Sequence, residues 1–381
     1  MNILLITNLY PAYKNQSRIE MSYALHDFTV KWAKNNNIIV INQILPRYKN
    51  IFSSKPVYPK LDREFVLDAI KIYNFITHKI PMTKILFGTN IIRKLLKSNN
   101  FIPDLILAHL YNSYIIANKL SVFYKCNLVL GMHNIDLKHI NKRKYAKPLR
   151  NCIKISCRSS HIMNEMLKLF PEYEKKIFIA NSGINLSDIE KEEYFLEKID
   201  TWKNKSKMVF ITIANLIKRK NIDTVLDSLS FFSNNDWEYI IIGDGEEREF
   251  LSKKAEQLKI NAKVHFLGHK TREEIFAYLK LTDIFVMVSS RETFGLVYLE
   301  AMAKGNMIIG CKDFGIDGII HDGENGFLVE ARNAGQLASV IQNIYNSPFE
   351  EKKRMLQNIE QTILANTSDI AADNYLRFIY E

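Results

Sequence analysis

The stretch "IFVMVSSRETFGLVYLEAMAKGNMIIGC", residues 284–311, reads as a strand, a helix and a second strand. "IFVMVS" (284–289) and "MIIGC" (307–311) are short apolar runs of the kind that is buried on both faces of a parallel sheet. Between them "FGLVYLEAMAKG" has helical spacing, with Thr293 as the expected N-cap and Gly305 as the stop. A strand, a crossover helix and a second strand make the unit from which doubly wound α/β domains are built.

The same rhythm runs outward in both directions. "NILLIT" (2–7), "IIVINQ" (38–43), "LILAH" (105–109), "NLVLGMH" (127–133) and "IKISC" (153–157) are strands by the same reading. So are "MVFITIA" (208–214), "EYIIIGD" (238–244) and "KVHFLG" (263–268). Helical patterns such as "NIDTVLDSLSFF", "EEREFLSKKAEQL", "TREEIFAYLKL" and "NAGQLASVIQNIY" alternate with them, and the stretch after residue 347 reads as helical throughout. This predicts two doubly wound α/β domains, with a ligand in the cleft between them at the carboxyl ends of the strands. The join is expected in "IANSGINLSDIEKEEYF", giving domains 1–184 and 185–364, with a helix at about 365–381 packing back onto the first.

The chain of 381 residues, 47% hydrophobic and 24% charged, has the composition of a globular protein. Four scattered cysteines without metal-ligand or disulfide-framework spacing point to a reducing compartment. The start lacks a basic n-region, and no apolar run is long enough to span a bilayer. The charge of +11 is one-sided: residues 1–180 hold 28 Lys and Arg against 10 Asp and Glu, and the remainder is net acidic. Only the first half is therefore suited to a polyanionic surface. Its segments 82–100 and 139–154 combine lysine and arginine with apolar residues, a pattern that fits an anionic membrane face. An ordinary core-facing helix with a solvated basic side reads the same way.

Within the opening stretch, Glu292 and Glu300 have seven residues between them. Carboxylates that share one glycosidic bond stand roughly 5–9.5 Å apart. Eight helical residues rise about 12 Å, which is awkward for such a couple but suits a ligand lying along the helix start. The amides of Thr293, Phe294, Gly295 and Leu296 offer an anion site in its middle. The plain alternative is a surface glutamate and a solvated helix carboxylate.

"SSRETFGLVYLEAMAKGNMIIG" (289–310) resembles the E-x7-E signature of retaining glycosyltransferases of the GT-B fold, glycosyltransferase family 4. "FLGHKTREEIFAYLKLTDIFVMVSS", "DFGIDGIIHDGENGFLVEARNAGQLASVI", "IIGDGEEREFLSKKAEQL" and "FIANSGINLSDI" are similar to further family segments, so the resemblance covers nearly the whole chain. It implies two Rossmann-like domains facing a central cleft, the first receiving the acceptor and the second the nucleotide-sugar. By position, Glu292 would hold donor-sugar hydroxyls and Glu300 the ribose. Phe294, Gly295 and Leu296, next to Thr293, would offer amides to the diphosphate. Gly243 and Asp244 of the G-D-G-x-E segment belong to the same donor side.

"ANLIKRKN" (214–221) is similar to the family's G-R-L-x-x-x-K-G, which places Lys220 on the diphosphate. The family arginine is Asn215 here and the glycine before it Ala214, so leaving-group stabilisation rests more heavily on Lys220. The family's Gly-Gly turn after the first strand is replaced by "YPAYKNQSRIE" (10–20). "GMHNID" (131–136) resembles H-G-x-D, which sets His133 near the sugar and acceptor and Asp136 on the acceptor side.

The resemblance implies retention by front-face attack, with the leaving phosphate oxygen taking the acceptor's proton. It implies no metal and no further cofactor, in keeping with the lack of D-x-D, of a P-loop and of G-x-G-x-x-G. The expected activity is hexosyl transfer to a glycan or lipid-linked acceptor in capsule, lipopolysaccharide or other cell-surface polysaccharide synthesis. The expected place is cytoplasmic, peripheral on the inner face of the plasma membrane, with no nucleic-acid partner. A nucleotide-sugar epimerase or phosphorylase on the same plan, or a non-enzymatic polyanion binder, are the alternatives.

Overall fold

The computed structural model describes residues 1–16, 24–44, 47–48, 56–57, 60–76, 83–232 and 236–381. The chain divides into two units. Unit 1 comprises Met1–Arg158, Ile162–Asn181 and Ala371–Glu381, and unit 2 comprises Ser159–His161 and Ser182–Ile370.

Unit 1 is built on an eight-stranded sheet. Its strands are β1 (Asn2–Thr7), β2 (Asn37–Ile44), β5 (Glu64–Leu67), β6 (Ile70–Ile76), β7 (Leu105–His109), β8 (Asn127–Met132), β9 (Lys154–Cys157) and β10 (Ile177–Ile179). A two-residue pair, β3 (Arg47–Tyr48) and β4 (Pro56–Val57), stands outside it. The order is β10-β9-β8-β7-β1-β2-β6-β5, parallel except where β5 meets β6. Alternation along β1 sends Leu4 and Ile6 to one face, against Ile92, Leu96, Tyr114 and Leu120. Ile3 and Leu5 face the other way, toward Phe28, Trp32 and Tyr375. Tyr375 comes from the helix Ser368–Tyr380, whose Ala372 carbonyl accepts the Trp32 indole N–H at 2.9 Å.

Unit 2 has a six-stranded sheet, parallel throughout: β11 (Met208–Ile213), β12 (Trp237–Ile242), β13 (Val264–Gly268), β14 (Ile284–Val286), β15 (Met307–Cys311) and β16 (Phe327–Val329). Its order β13-β12-β11-β14-β15-β16 reverses direction between β11 and β14. That is the dinucleotide-fold order, and its ligand crevice lies outside the carboxyl ends of those two strands.

The two expected doubly wound α/β sheets are present, with differences in detail. The edge strand β16 was not expected, nor was the hairpin β5–β6. Its turn, Asp68 and Ala69 at φ 46° and 64°, uses left-handed backbone without the Asn-Gly or Asp-Gly pair that announces such turns. β14 ends at Val286, not at residue 289, because the Val288 carbonyl turns to accept the Asn221 amide at 2.7 Å. The stretch after 347 is two helices, Phe349–Ala365 and Ser368–Tyr380, broken at Asn366–Thr367. There Ile184 bonds to the Asn366 carbonyl at 3.0 Å and accepts from the Ser368 amide at 2.7 Å. A Cβ on Gly183 would stand 2.2 Å from the Thr367 oxygen, so this crossing needs a glycine. Among the described residues no helix is long and apolar enough to cross a membrane.

Candidate active site

The loops leaving β11 and β14 meet at the reversal point of unit 2. Lys220 lies in the short 3-10 turn Lys218–Lys220 that follows β11, and Glu292 in the loop that follows β14. The Lys220 Nζ stands 2.5 Å from Oε2 of Glu292, and Arg219 Nη1 stands 3.2 Å from the same oxygen. Burial pushes the Glu292 carboxyl up, but the adjacent Lys220 and Arg219 charges outweigh it and hold the group below the usual glutamate range.

The backbone is tied as firmly as the side chains. Asn221, at φ 51°, donates to Val288 O and to Ser290 Oγ at 2.9 Å, and the Ser290 amide donates to Arg219 O at 2.8 Å. The Glu292 carbonyl accepts from the Gly315 amide at 3.2 Å. Gly315 has φ 61°, and a Cβ there would lie 3.1 Å from that of Glu292. Ser289 is fully buried just beyond the end of β14, and its Oγ has no hydrogen-bond partner among the described residues.

The helix start differs from expectation. The helix is Leu296–Met302, and its N-cap is Gly295 at φ 80°, not Thr293. A Cβ on Gly295 would meet the Tyr298 ring at 2.8 Å, and Tyr298 donates its hydroxyl to Met287 O. The left-handed residue the turn requires therefore sits two positions later than a threonine cap would place it. Only the segment from 296 to 300 is helical between the two glutamates, so a helical rise does not set their separation. Phe294 buries its ring in the unit 2 core.

Glu300 belongs to a second cluster. Arg272 grips Asp188 with two bonds, 2.8 and 3.3 Å, and reaches Oε1 of Glu300 at 3.1 and 3.3 Å. Burial lowers the Arg272 pKa, but the two carboxylates more than reverse this and raise it. Arg272 opens the helix Arg272–Leu281, which a Thr271/Glu274 capping box starts. Neither Arg272 nor Asp188 was singled out in the sequence, because they are 84 positions apart and carry no local motif.

Asn215 is exposed just past β11. Gly243 follows β12 at φ 125°, its amide bonded to Gly268 O at 2.8 Å, and a Cβ on it would stand 2.0 Å from Ala214 O. That contact lets the ends of β11 and β12 close together. Asp244, half exposed, accepts the Gly245 amide at 2.8 Å.

In unit 1, His133 and Asp136 follow β8. Asp136 is fully buried and accepts three bonds: from the His133 amide at 2.7 Å, the Tyr111 amide at 2.8 Å and the Tyr114 hydroxyl at 3.1 Å. Burial outweighs these donors and pushes its pKa up to about 7. Asp136 thus shapes the loop that presents His133. A residue not singled out, His109 at the end of β7, lies with Nδ1 3.2 Å from Nε2 of His133. Its Nε2 is 3.2 Å from the Tyr375 hydroxyl, which is 2.8 Å from Ser156 Oγ. Burial, aided by the Arg158 charge, lowers the His109 pKa to about 3. Burial, aided by His109 and the Arg158 charge, also holds His133 well below the usual histidine value. A Cβ on Gly131 would fall 2.4 Å from the His109 ring, so the glycine makes room for it. The ending of "LILAH" was the available signal for His109.

Of the basic segments, residue 82 and the side chains of 83–87 lie outside the described residues, as do residues 17–20 of "YPAYKNQSRIE". The helix Thr83–Ser98 has no acidic residue in its first turn, and Lys142, Arg143, Lys144, Lys147 and Arg150 are exposed.

Residues 196–362 match the family model of group 1 glycosyl transferases. The alpha-monoglucosyldiacylglycerol synthase of Acholeplasma laidlawii is 30% identical over 184 residues, 46% of this chain and 46% of that protein. The lipopolysaccharide core biosynthesis glycosyltransferase LpsE of Rhizobium meliloti (strain 1021) is 28% identical over 173 residues, 45% and 49% of the two chains. These matches span about half the length of each relative. The fold match is wider. The lipopolysaccharide outer core galactosyltransferase WaaB superposes with a TM-score of 0.74 at 18% identity, covering 100% of this chain and 99% of the other. Anabaena HepE in complex with UDP superposes with a TM-score of 0.72 at 15% identity, covering 99% and 98%.

Proposed function

We propose that this chain, which carries a group 1 glycosyl transferase domain at residues 196–362 within a GT-B fold, is a retaining glycosyltransferase. It moves a sugar from a nucleotide-sugar to a glycan or lipid-linked acceptor in cell-surface glycan synthesis. Relatives named for glycolipid and lipopolysaccharide synthesis support that reading, as does the complex of HepE with UDP. The observation that carries it is the Lys220–Glu292 pair at the strand-order reversal of unit 2. An ammonium and a carboxylate there suit a donor that is anionic at its diphosphate and rich in hydroxyls at its sugar.

In this reading Lys220, helped by Arg219, offsets the charge growing on the departing diphosphate. Glu292 then turns to the sugar hydroxyls, and the backbone amides at 293–296 add donors to the diphosphate. The bond from the anomeric carbon to the phosphate oxygen breaks as the acceptor oxygen bonds to the same face. The departing oxygen takes the acceptor's proton. No dedicated base and no metal enters. Glu300 with Arg272, and Gly243 with Asp244, are assigned to the nucleoside end. His133 and Asp136 are assigned to the acceptor side on the resemblance of "GMHNID". The protein works in the cytoplasm, peripheral on the inner membrane face through the basic segments 82–100 and 139–154.

Thermal-shift measurement against UDP-, GDP-, ADP- and CMP-linked sugars tests the donor assignment. At least one raises the melting temperature and supports transfer. If every one fails to stabilise the chain, the reading falls.

A further inference from the structure

One face of unit 1 carries a groove that the transfer chemistry does not use. It has a volume of about 690 Å³ and lies between the helix Thr83–Ser98 and the end of the helix Tyr111–Tyr124. Phe101, 3% exposed, is among the residues lining it, whereas Ile91, Ile102 and Phe123 are 39%, 67% and 50% exposed. Three large apolar side chains left in water around one concavity are unusual for a surface with no partner.

Among the described residues, the charged side chains lining the groove are Arg93, Lys94 and Lys97, with no acidic one. The Arg93 guanidinium carbon lies over the Phe123 ring, 3.5 Å from its centroid, so one guanidinium borders both the apolar trough and the basic rim. A trough that takes hydrocarbon beside a rim that takes an anion is complementary to an anionic amphiphile. Its size is that of an ordinary small-molecule site.

We infer that this groove holds an acyl chain of an anionic phospholipid drawn from the membrane leaflet, with the phosphate on Arg93, Lys94 and Lys97. This deepens the proposed membrane attachment and is independent of the donor assignment. Adsorption through charge alone leaves the apolar trough empty. Insertion fills it and fixes the depth at which unit 1 rides on the bilayer.

The test uses the whole chain with Phe123→Trp as a reporter. The native tryptophans, Trp32, Trp202 and Trp237, are at most 4% exposed, so the new indole reports the groove. Vesicles are phosphatidylcholine alone or mixed with phosphatidylglycerol, with bromine on the acyl chains. Expected is strong quenching in the anionic vesicles and none in the zwitterionic ones. Lys94→Gln with Lys97→Gln should weaken binding about 30-fold without changing the melting temperature. Flotation of the protein with anionic vesicles without quenching overturns the groove and leaves surface attachment standing. Absence of flotation overturns both.

Discussion

Lys220 and Glu292, 72 positions apart in the chain, place an ammonium and a carboxylate oxygen 2.5 Å apart where the strand order of unit 2 reverses. Both side chains are largely shielded, at 10% and 14% exposure, so the pair is neither a surface ion pair nor a sealed one. A shielded pair with one open side is suited to exchanging partners when an anion arrives.

Lys220→Ala and Glu292→Ala should each lower turnover by about 100-fold or more, the usual cost of losing one preorganised donor to developing charge. Circular dichroism should show the fold retained. The cost in stability should be about 3 kcal/mol for Glu292→Ala, which strands the shielded Lys220, and smaller for Lys220→Ala, which leaves Glu292 bonded to Arg219. Near-normal turnover in either variant would place the reacting bond elsewhere.

Tyr375→Phe should leave the unit 1 core packed, since the ring still meets Trp32, Phe28 and Phe178. It removes the hydroxyl that joins Ser156 to His109 and so frees the tautomer of His109 and, through it, of His133. Nitrogen NMR of the imidazoles should show a single tautomer for each ring in the native chain and mixed tautomers in the variant. The turnover number should fall while the KM for the nucleotide-sugar stays put. Unchanged imidazole signals would reduce the chain of hydrogen bonds to packing.

Two buried groups give unit 1 opposed pH responses. His109, its pKa depressed to about 3, contributes stability above the unfolded histidine value that is lost as pH falls from about 6.5 toward 3. Asp136, its pKa raised to about 7, contributes stability below the unfolded carboxyl value that is lost as pH rises from about 4 through 7. Between pH 4 and 6.5 the two trends oppose each other. In urea titrations, His109→Gln should therefore turn the slope of stability with pH downward relative to the native chain, and Asp136→Asn should turn it upward. Parallel curves for both variants and the native chain would refute the assignment.

Asn215→Arg restores a cation where the resembling family has one, on an exposed position just beyond β11. Charge-assisted hydrogen bonds to a phosphate are about twice as strong as neutral ones. Donor kcat/KM should therefore rise about tenfold, close to 1.4 kcal/mol. A fall would mean that Arg219, already bonded to Glu292, has taken over that part of the site.

Most strands of both sheets were legible because buried parallel strands are continuous apolar runs, as in "NILLIT" and "MIIGC", whereas β5, β6 and the edge strand β16 were not. Lys220, Glu292 and His133 were legible through motifs on the loops after such strands. What escaped depends on contacts between distant residues or on backbone angles. The Asp68–Ala69 turn lacks a glycine, Gly295 displaced Thr293 as the cap, and Arg272 meets Asp188 only after folding. His109 and Tyr375, 266 positions apart, form a bond that no local pattern could announce.

That separation also sets an order of events during synthesis. Unit 2 is complete once residue 370 has been made, whereas unit 1 still lacks Ala371–Glu381. Until then Trp32 has no Ala372 carbonyl to bond, and His109 has no Tyr375 hydroxyl. On the ribosome the half that is begun first is therefore finished last. Chaperone demand should fall on the N-terminal sheet, and a stop codon just before residue 371 would release a finished unit 2 attached to a sheet with one face of its core covered only in part, by the helix that carries Phe28 and Trp32.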